Sequence, residues 1–546
     1  MAATRAPDFR IRLAMGGSVV EGRGKHIETE ASLFALCAEN TARRAADTGG
    51  SVAVRMKPPL LPLPLLFTLA SLGAAPAPVH QATGFKLVEP SADSVLVWTR
   101  VTRDPVAAGS DRPLPKVTIV DAASGEERPL KDNAMYPRGR PRVVFPEGSD
   151  WGSIRGAAIG ASGQTRVRYR AAGETSWREA VWTDVDAARD FTRVVQLKGL
   201  RPGTRHEVVV EGRPTGDGPA TSSLEGAFIT APDPQSEAAA RFTVMSCQQY
   251  EDQDRPDGLA IYPAMRRSAP DFMINTGDVV YYDHGPVHAL NGTLARYHWA
   301  RMYALPTLRE FHRTTGAFFM RDDHDTLTDD SRPGDRTGDL TFEDGLSIFR
   351  EQTALPSPGQ RRVRWGRHLE LWLLEGREHR SSRAADRTAP PTLLGADQIA
   401  WLEKTLADSD ATFRVVVTGT PIVGPDRATK DDNLSNAGYR AEGDRVRAIL
   451  ARHRNLFVVT GDRHWQFVSR DPATGVEEWS VGAASDSHAG GWNEDKPRPE
   501  HRFLRIRHGG YLSGEVAGRE GAPTLTLRLH DTEGKIVFAD EKSAAK

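Results

Sequence analysis

The chain has 546 residues, of which 39% are hydrophobic and 26% charged, and its 71 Lys+Arg against 72 Asp+Glu leave a formal net charge of -1. That length exceeds what one hydrophobic core usually organises, so two or more domains are expected. The balanced charge argues against a polybasic nucleic-acid binder or an acidic tail and leaves room only for a local basic cleft.

In chain order, the first informative stretch is Met56-Lys57, followed by the apolar, proline-rich run from Pro58 to Ser71 and the small residues up to Ala77. A positive start, a short apolar core and a small-residue exit describe a secretory signal. Translation is therefore expected to begin at Met56, with residues 1–55 a mis-called extension and 56–77 a signal peptide. The mature protein is expected to be periplasmic or secreted, with no stable membrane anchor once the signal is removed. Of the two cysteines, Cys37 lies in the extension, which leaves Cys247 alone and no internal disulfide. A lone thiol in an oxidising compartment is a liability unless it is buried or bound to metal.

Between 78 and 232 short β-branched and aromatic runs separated by turns predict strands at Val95–Arg100, Val117–Val120, Thr165–Tyr169, Thr192–Leu197 and His206–Val210. Such spacing suggests an all-β sandwich of immunoglobulin or fibronectin type. The Gly- and Arg-rich piece from Pro137 to Gly163 reads as an inserted loop, and 231–238 as a linker. From Arg241 the pattern changes to short apolar strands alternating with helical stretches such as Leu294–Glu310 and Asp397–Asp408. That alternation predicts an α/β domain over 236–546, a β-sandwich core flanked by helices.

Four of these apolar runs end in residues that can hold a metal: Arg241–Ser246 in Cys247, Asp271–Thr276 in Gly277-Asp278-x-x-Tyr281, Gly316–Arg321 in Asp322-Asp323-His324-Asp325, and Asn455–Thr460 in Gly461-Asp462-Arg463-His464. Ligands of open α/β sheets bind beyond the carboxyl ends of the strands, so the four ends offer donors to one place. The Asp278 carboxylate suits a bridge between two cations. Tyr281 as a phenolate calls for a strongly acidic cation such as ferric iron, with Cys247 and His464 completing its shell. Asp323 and Asp462 are hard carboxylates suited to Ca2+ or Mg2+.

At these residues the chain resembles the PhoD-like alkaline phosphatases, a branch of the calcineurin-like metallophosphoesterase superfamily. That branch writes its strand-end motifs as a cysteine, then GDxxY, DDHE and GDxH. The resemblance extends to Asp93–Arg100, similar to the family's N-terminal β-domain signature, and to Leu394-Gly395 with Gln398-x-x-Trp401-Leu402 at a helix start. It implies Fe3+ held by Cys247, Asp278, Tyr281 and His464, and Ca2+ held by Asp278, Asp323 and Asp462. In such proteins a metal-bound hydroxide attacks phosphorus in line while the cations neutralise developing charge. His324 would hydrogen-bond the phosphoryl oxygen or leaving group, with Arg463 a second candidate for phosphate contact.

The chain departs from the family where Asp-x-Arg-x-Tyr-Arg is written Glu375-Gly-Arg377-Glu-His379-Arg380, and where the His or Gln after the next strand is replaced by the surroundings of Gly419. These departures fall on the second metal and the pocket rim, not on the iron site. His488 reads as a rim contact for substrate, and His284 and His288 either as cleft-lining or as passive loop residues. His379, Asp329-Asp330 and Asp431-Asp432 read most simply as solvated, and Trp465 and Trp492 as core or rim. The expected activity is hydrolysis of a phosphate ester. The alternatives are a phosphodiesterase or phospholipase D-like hydrolase, and a surface-binding protein with a vestigial metal site. The sequence leaves the oligomeric state open.

Overall fold

The strands Ala240–Met245, Phe272–Asn275, Gly316–Phe319 and Phe85–Val88 lie side by side and parallel. They form the middle of a nine-stranded sheet in this computed structural model, which describes residues 76–546 apart from 131–138, 382–389, 494–495, 518–521 and 545–546. The expected extension and all but the last two residues of the expected signal lie outside the described residues. A second sheet of seven strands has Leu369–Leu373, Phe413–Thr418, Leu456–Thr460 and Glu477–Val481 as its parallel centre.

The side-chain alternation of each central strand explains the layering, because successive residues point to opposite faces. Val244, Phe272, Ile274 and Phe318 meet Leu371, Leu373, Val415, Val417, Val459 and Trp479 in the core between the sheets. Met245, Met273, Ala317 and Phe319 face the other way and pack with side chains of the helices Ile261–Arg267, Gly292–Tyr303, Pro306–His312 and Phe342–Thr353. Trp372, Val416 and Val458 do the same on the far side against Ala396–Ala407 and Arg440–Leu450. The result is helix, sheet, sheet, helix. Strands covered on both faces read as unbroken apolar runs, which is why the sequence announces them.

The N-terminal strands are differently placed from what the linker at 231–238 suggests. Leu87 pairs with Gly316, so Phe85–Val88, Ser94–Arg100 and Thr192–Lys198 extend the central sheet rather than closing on themselves. Their other face, with Leu87, Val95, Val97, Val195 and Leu197, packs on Val167, Tyr169, Val208, Val210 and Phe228 of a five-stranded sheet. Lys86 points away from that contact into the helical layer. It is fully buried, 3.6 Å from the centroid of Trp98 and 3.7 Å from that of Tyr303, and its ammonium donates to the carbonyl of Gln352. Burial pulls its pKa well below that of an ordinary lysine. The indole of Trp98 donates to Glu351 O, so two side chains from the N-terminal strands fasten the end of Phe342–Thr353.

Two local expectations are corrected. The helical stretch Leu294–Glu310 is two helices, because Pro306 starts the second and holds Leu305 in an extended conformation. Within Pro137–Gly163, Arg140–Val144 is a strand paired with Lys116–Val120; its half-exposed alternation of Arg, Pro and Val hides it from a reading based on apolar runs. Among the described residues no helix is long and apolar enough to cross a membrane. Leu371 is fully buried in the core between the sheets. Leu371→Ala is expected to cost about 2–5 kcal/mol of unfolding free energy, measured by denaturant titration.

Candidate metal centre

The chain turns abruptly after each central strand. Cys247, Asp278 and Asp462 take left-handed backbone conformations with φ of 51°, 52° and 57°, sparsely populated for residues with a side chain and sustained only where the surroundings impose them. The glycines before the two aspartates are required by close approach. A Cβ on Gly277 would overlap Asp322, and one on Gly461 would run into Thr276 Oγ1 and Ser246 Oγ. Hydrogen bonds cross between the turns, from Gln248 N to Asp278 O at 3.0 Å and from Asp462 N to the Ser246 hydroxyl at 3.2 Å. The strand ends of both sheets are thereby tied to one another.

The Cys247 thiol lies 3.4 Å from Asp278 Oδ2, and the Tyr281 hydroxyl donates to the same oxygen at 3.0 Å while standing 3.3 Å from His464 Nε2. Cys247, Asp278 and His464 each present a ligand atom within 4.8 Å of the others. Burial pushes the Cys247 thiol, the Tyr281 phenol and the Asp278 carboxyl up, and pushes the His464 imidazole down. All four therefore resist carrying charge unless a cation is supplied, and a bound metal ion inverts that preference. Thiolate, phenolate, imidazole and carboxylate together fit a strongly acidic cation.

Beside this group lie carboxylates alone. Asp278, Asp322 and Asp462 bring ligand oxygens within 4.8 Å of one another, and Asp278 and Asp323 do so with His324. Burial raises the Asp462 carboxyl to about 8. Asp278 Oδ1 and Asp322 Oδ2 are buried without any hydrogen-bond partner. An unpaired buried carboxylate oxygen is costly, and a hard divalent cation with oxygen ligands fits this place.

Residues 242–494 match the family described as PhoD-like phosphatase. This stretch is a PhoD-like phosphatase domain. Among solved structures the chain is similar to one titled "Structure of PhoD", with a TM-score of 0.59 at 17% identity over 85% of this chain and 88% of that one. It is also similar to the purple acid phosphatase PPD1 from yellow lupin (Lupinus luteus) seeds, with a TM-score of 0.53 at 11% identity over 85% and 96%. At such identities the likeness is one of fold. No curated protein matches the chain in sequence.

Around the two clusters the PhoD-like domain places an outer ring of paired charges. Arg463, expected as a phosphate contact, is fully buried, and its guanidinium is spent on Asp426 at 2.5 Å, Asp432 at 2.7 Å and Asp462. It positions acids and does not face outward. Arg377 bonds Asp322 through Nε and lies 3.4 Å from both Asp323 and Asp432. Asp432 and Asp329, read as solvated loop acids, are buried; Asp431 is exposed and Asp330 is partly covered. His379 is exposed, in keeping with the solvated reading. His488 lies between Tyr281, 2.8 Å from its hydroxyl, and Asp252, 2.9 Å away, so it buttresses the phenol as much as it borders the cleft.

Three residues of the PhoD-like domain were not singled out by the sequence. Asp283 accepts from His324 Nδ1 at 2.7 Å, from His284 Nδ1 at 3.0 Å and from Asp329 N at 2.8 Å. Burial disfavours the His324 imidazolium, but the carboxylates of Asp283, Asp323 and Asp278 outweigh it and carry its pKa well above the usual value. Arg427 sits 5.3 Å from the centroid of Trp465, its Nε is unpartnered, and its ion pair with Asp426 is long at 3.8 Å. Glu478 accepts the backbone N–H groups of Ile422, Val423 and Gly424 and so anchors the loop that carries Asp426, Arg427 and Asp432.

Burial raises the Glu478 carboxyl from 4.5 to about 7. The folded protein then binds this proton more tightly than the unfolded chain, so the contribution to stability is full below pH 4.5 and is lost as pH rises through about 7. Glu478→Gln removes that dependence. Between pH 5 and 8 the stability of the wild type is expected to fall relative to the variant by on the order of 3 kcal/mol, read from denaturant midpoints at equal metal loading.

Proposed function

We propose that the chain is an exported, metal-dependent phosphoric ester hydrolase acting on phosphate monoesters. The observation that carries this reading is the convergence of Cys247, Asp278, Tyr281 and His464 beside an all-oxygen cluster, with His324 at the junction. In this reading Cys247, Asp278, Tyr281 and His464 hold Fe3+, and Asp278, Asp323 and Asp462 hold Ca2+. When bound, the cations supply Lewis acidity to the phosphoryl group and its nucleophile.

The chain's own residues do the rest. His324, held by Asp283 through Nδ1, keeps a protonated Nε2 to hydrogen-bond a phosphoryl oxygen or give a proton to the departing alkoxide. Asp283 fixes the orientation of that ring and favours the imidazolium, in which Nε2 keeps its proton while Nδ1 donates to the carboxylate. Among the described residues Arg321, Arg377, Arg380 and Arg463 near the centre are locked to carboxylates, whereas Arg427, with its long ion pair to Asp426, is free enough to meet the negative charge of a substrate. Stacking on Trp465 holds it in place at little cost in mobility.

The test is chelator-sensitive hydrolysis of a nitrophenyl phosphate monoester beside the matching diester, with iron and calcium supplied. Faster turnover of the monoester is the expected outcome; preference for the diester moves the reading to a phosphodiesterase, and turnover of neither favours a binding protein with a vestigial centre. His324→Ala is expected to lower kcat by about 10²–10⁴-fold while metal content stays unchanged. Arg427→Ala is expected to raise KM more than it lowers kcat, as loss of a contact made equally in ground and transition states does.

A further inference from the structure

Asp322 has no role in the reading above, yet one of its carboxylate oxygens is buried without a hydrogen-bond partner while the other accepts from Arg377 Nε and from Asp323 N. It is fully buried, Arg377 Nε occupies its Oδ1, and its Oδ2 makes no hydrogen bond. Asp278 shows the same asymmetry: Oδ2 receives Cys247 and Tyr281, and Oδ1 receives nothing. With Asp462, these two residues place one ligand oxygen each within 4.8 Å of one another. Asp323 is different. Its Oδ1 accepts from His324 N at 3.1 Å, and its Oδ2 accepts from Asp330 N at 2.6 Å and lies 3.4 Å from Arg377 Nη2.

The place that Asp322 reaches is informative. Gly419 follows the strand Phe413–Thr418 of the second sheet, and a Cβ there would lie 3.4 Å from Asp322 Oδ2. This strand end brings only the hydroxyls of Thr418 and Thr420 and no carboxylate, imidazole or thiol, and the space beside Gly419 is taken by a carboxylate from the first sheet. Arg377 makes that carboxylate directional, because occupying Oδ1 turns Oδ2 away from the guanidinium's Nε. Outer partners of metal ligands act in this way, fixing the orientation of the inner donor.

We propose that Asp322 is a direct ligand of the second cation, together with Asp278 and Asp462, and supplies from the first sheet the carboxylate that the Gly419 strand end lacks. With Asp323 of the reading above these are four carboxylates and no nitrogen or sulfur donor, a set that suits a hard divalent ion. The proposal rests on the two-cation reading of the proposed function and adds a ligand to it.

The probe is Mn2+, which suits carboxylate donors, titrated into the iron-loaded full chain that has been stripped of other divalent ions. Bound Mn2+ is read by electron paramagnetic resonance, and the iron site is followed separately by its tyrosinate-to-iron visible absorption. The wild type is expected to bind one Mn2+ per chain, and Asp322→Asn to bind it about 100-fold more weakly or worse, with the visible band unchanged. Undiminished Mn2+ affinity in Asp322→Asn overturns the assignment of Asp322 and leaves the two-cation reading standing. A wild type that binds iron but no Mn2+ overturns both, and makes the Arg377 guanidinium the counter-charge of these carboxylates. Should Asp322→Asn fail to fold, Asp322→Glu decides: it keeps the charge and the Arg377 pair but displaces the oxygen by a methylene, so unchanged affinity overturns the proposal and a loss of tenfold or more supports it.

Discussion

The burial of many carboxylates at one end of two packed sheets is the constraint on which the rest of this structure depends. Asp278, Asp322, Asp323, Asp325, Asp426 and Asp432 are all inaccessible to water, and Asp462 nearly so. In a low-dielectric interior such charges are tolerated only when paired, hydrogen-bonded or bound to a cation. The architecture answers in two ways. Guanidinium groups of Arg377 and Arg463 compensate the outer carboxylates with fixed charge, whereas the inner oxygens of Asp278 and Asp322 are left without a protein partner. Those inner oxygens are the place in the structure that suits a cation.

The sandwich is what makes that arrangement attainable. Cys247, Asp278 and Asp323 come from strand ends of the nine-stranded sheet, and Asp462 and His464 from the seven-stranded one. Neither sheet holds a full donor set. Only the packing of Val244, Ile274 and Phe318 on Leu371, Val417 and Val459 holds the two groups of ends at ligand distance. A loss in that apolar core would therefore be felt in the metal centre, since donor geometry must be held to fractions of an ångström. The left-handed turns at Cys247, Asp278 and Asp462 are the local cost of aiming donors from strand ends, and the core sustains them.

Much of this was legible in the sequence, and the limits of that legibility are physical. Strands buried on both faces write themselves as apolar runs, and the Gly-Asp pairs mark turns where only glycine fits against the neighbouring strand. The residues of the inner clusters follow from those two signals. What the sequence hides is pairing across long separations. Nothing local to Leu87 reveals a parallel partner at Gly316, so the N-terminal strands read as a body of their own although they extend the central sheet. The acids Asp432 and Asp329 sit among polar loop residues, where solvation is the simplest expectation; the cations that draw them in lie elsewhere in the chain, as Arg463 does for Asp432 and Lys430 for Asp329. Arg463 misleads for the complementary reason, since its place beside Asp462 and His464 suggests contact with substrate until Asp426 and Asp432 are seen to enclose it.

The division of labour between fixed and exchangeable cations has a consequence for the charge that substrate meets. A guanidinium already bonded to two carboxylates contributes little net field outward, because its partners cancel it within a few ångströms. Arg463 and Arg377 thus organise the acids without drawing in a phosphate. The field that an anion meets comes from charges less fully cancelled than these, such as Arg427 on the face of Trp465, whose ion pair with Asp426 is 3.8 Å long. The loop bearing Arg427 is held by three backbone bonds to Glu478 and by Asp426 and Asp432 on Arg463. The same ion pairs that keep the inner carboxylates in register therefore hold the loop that carries Arg427, which couples the order of the acidic centre to the placement of that guanidinium.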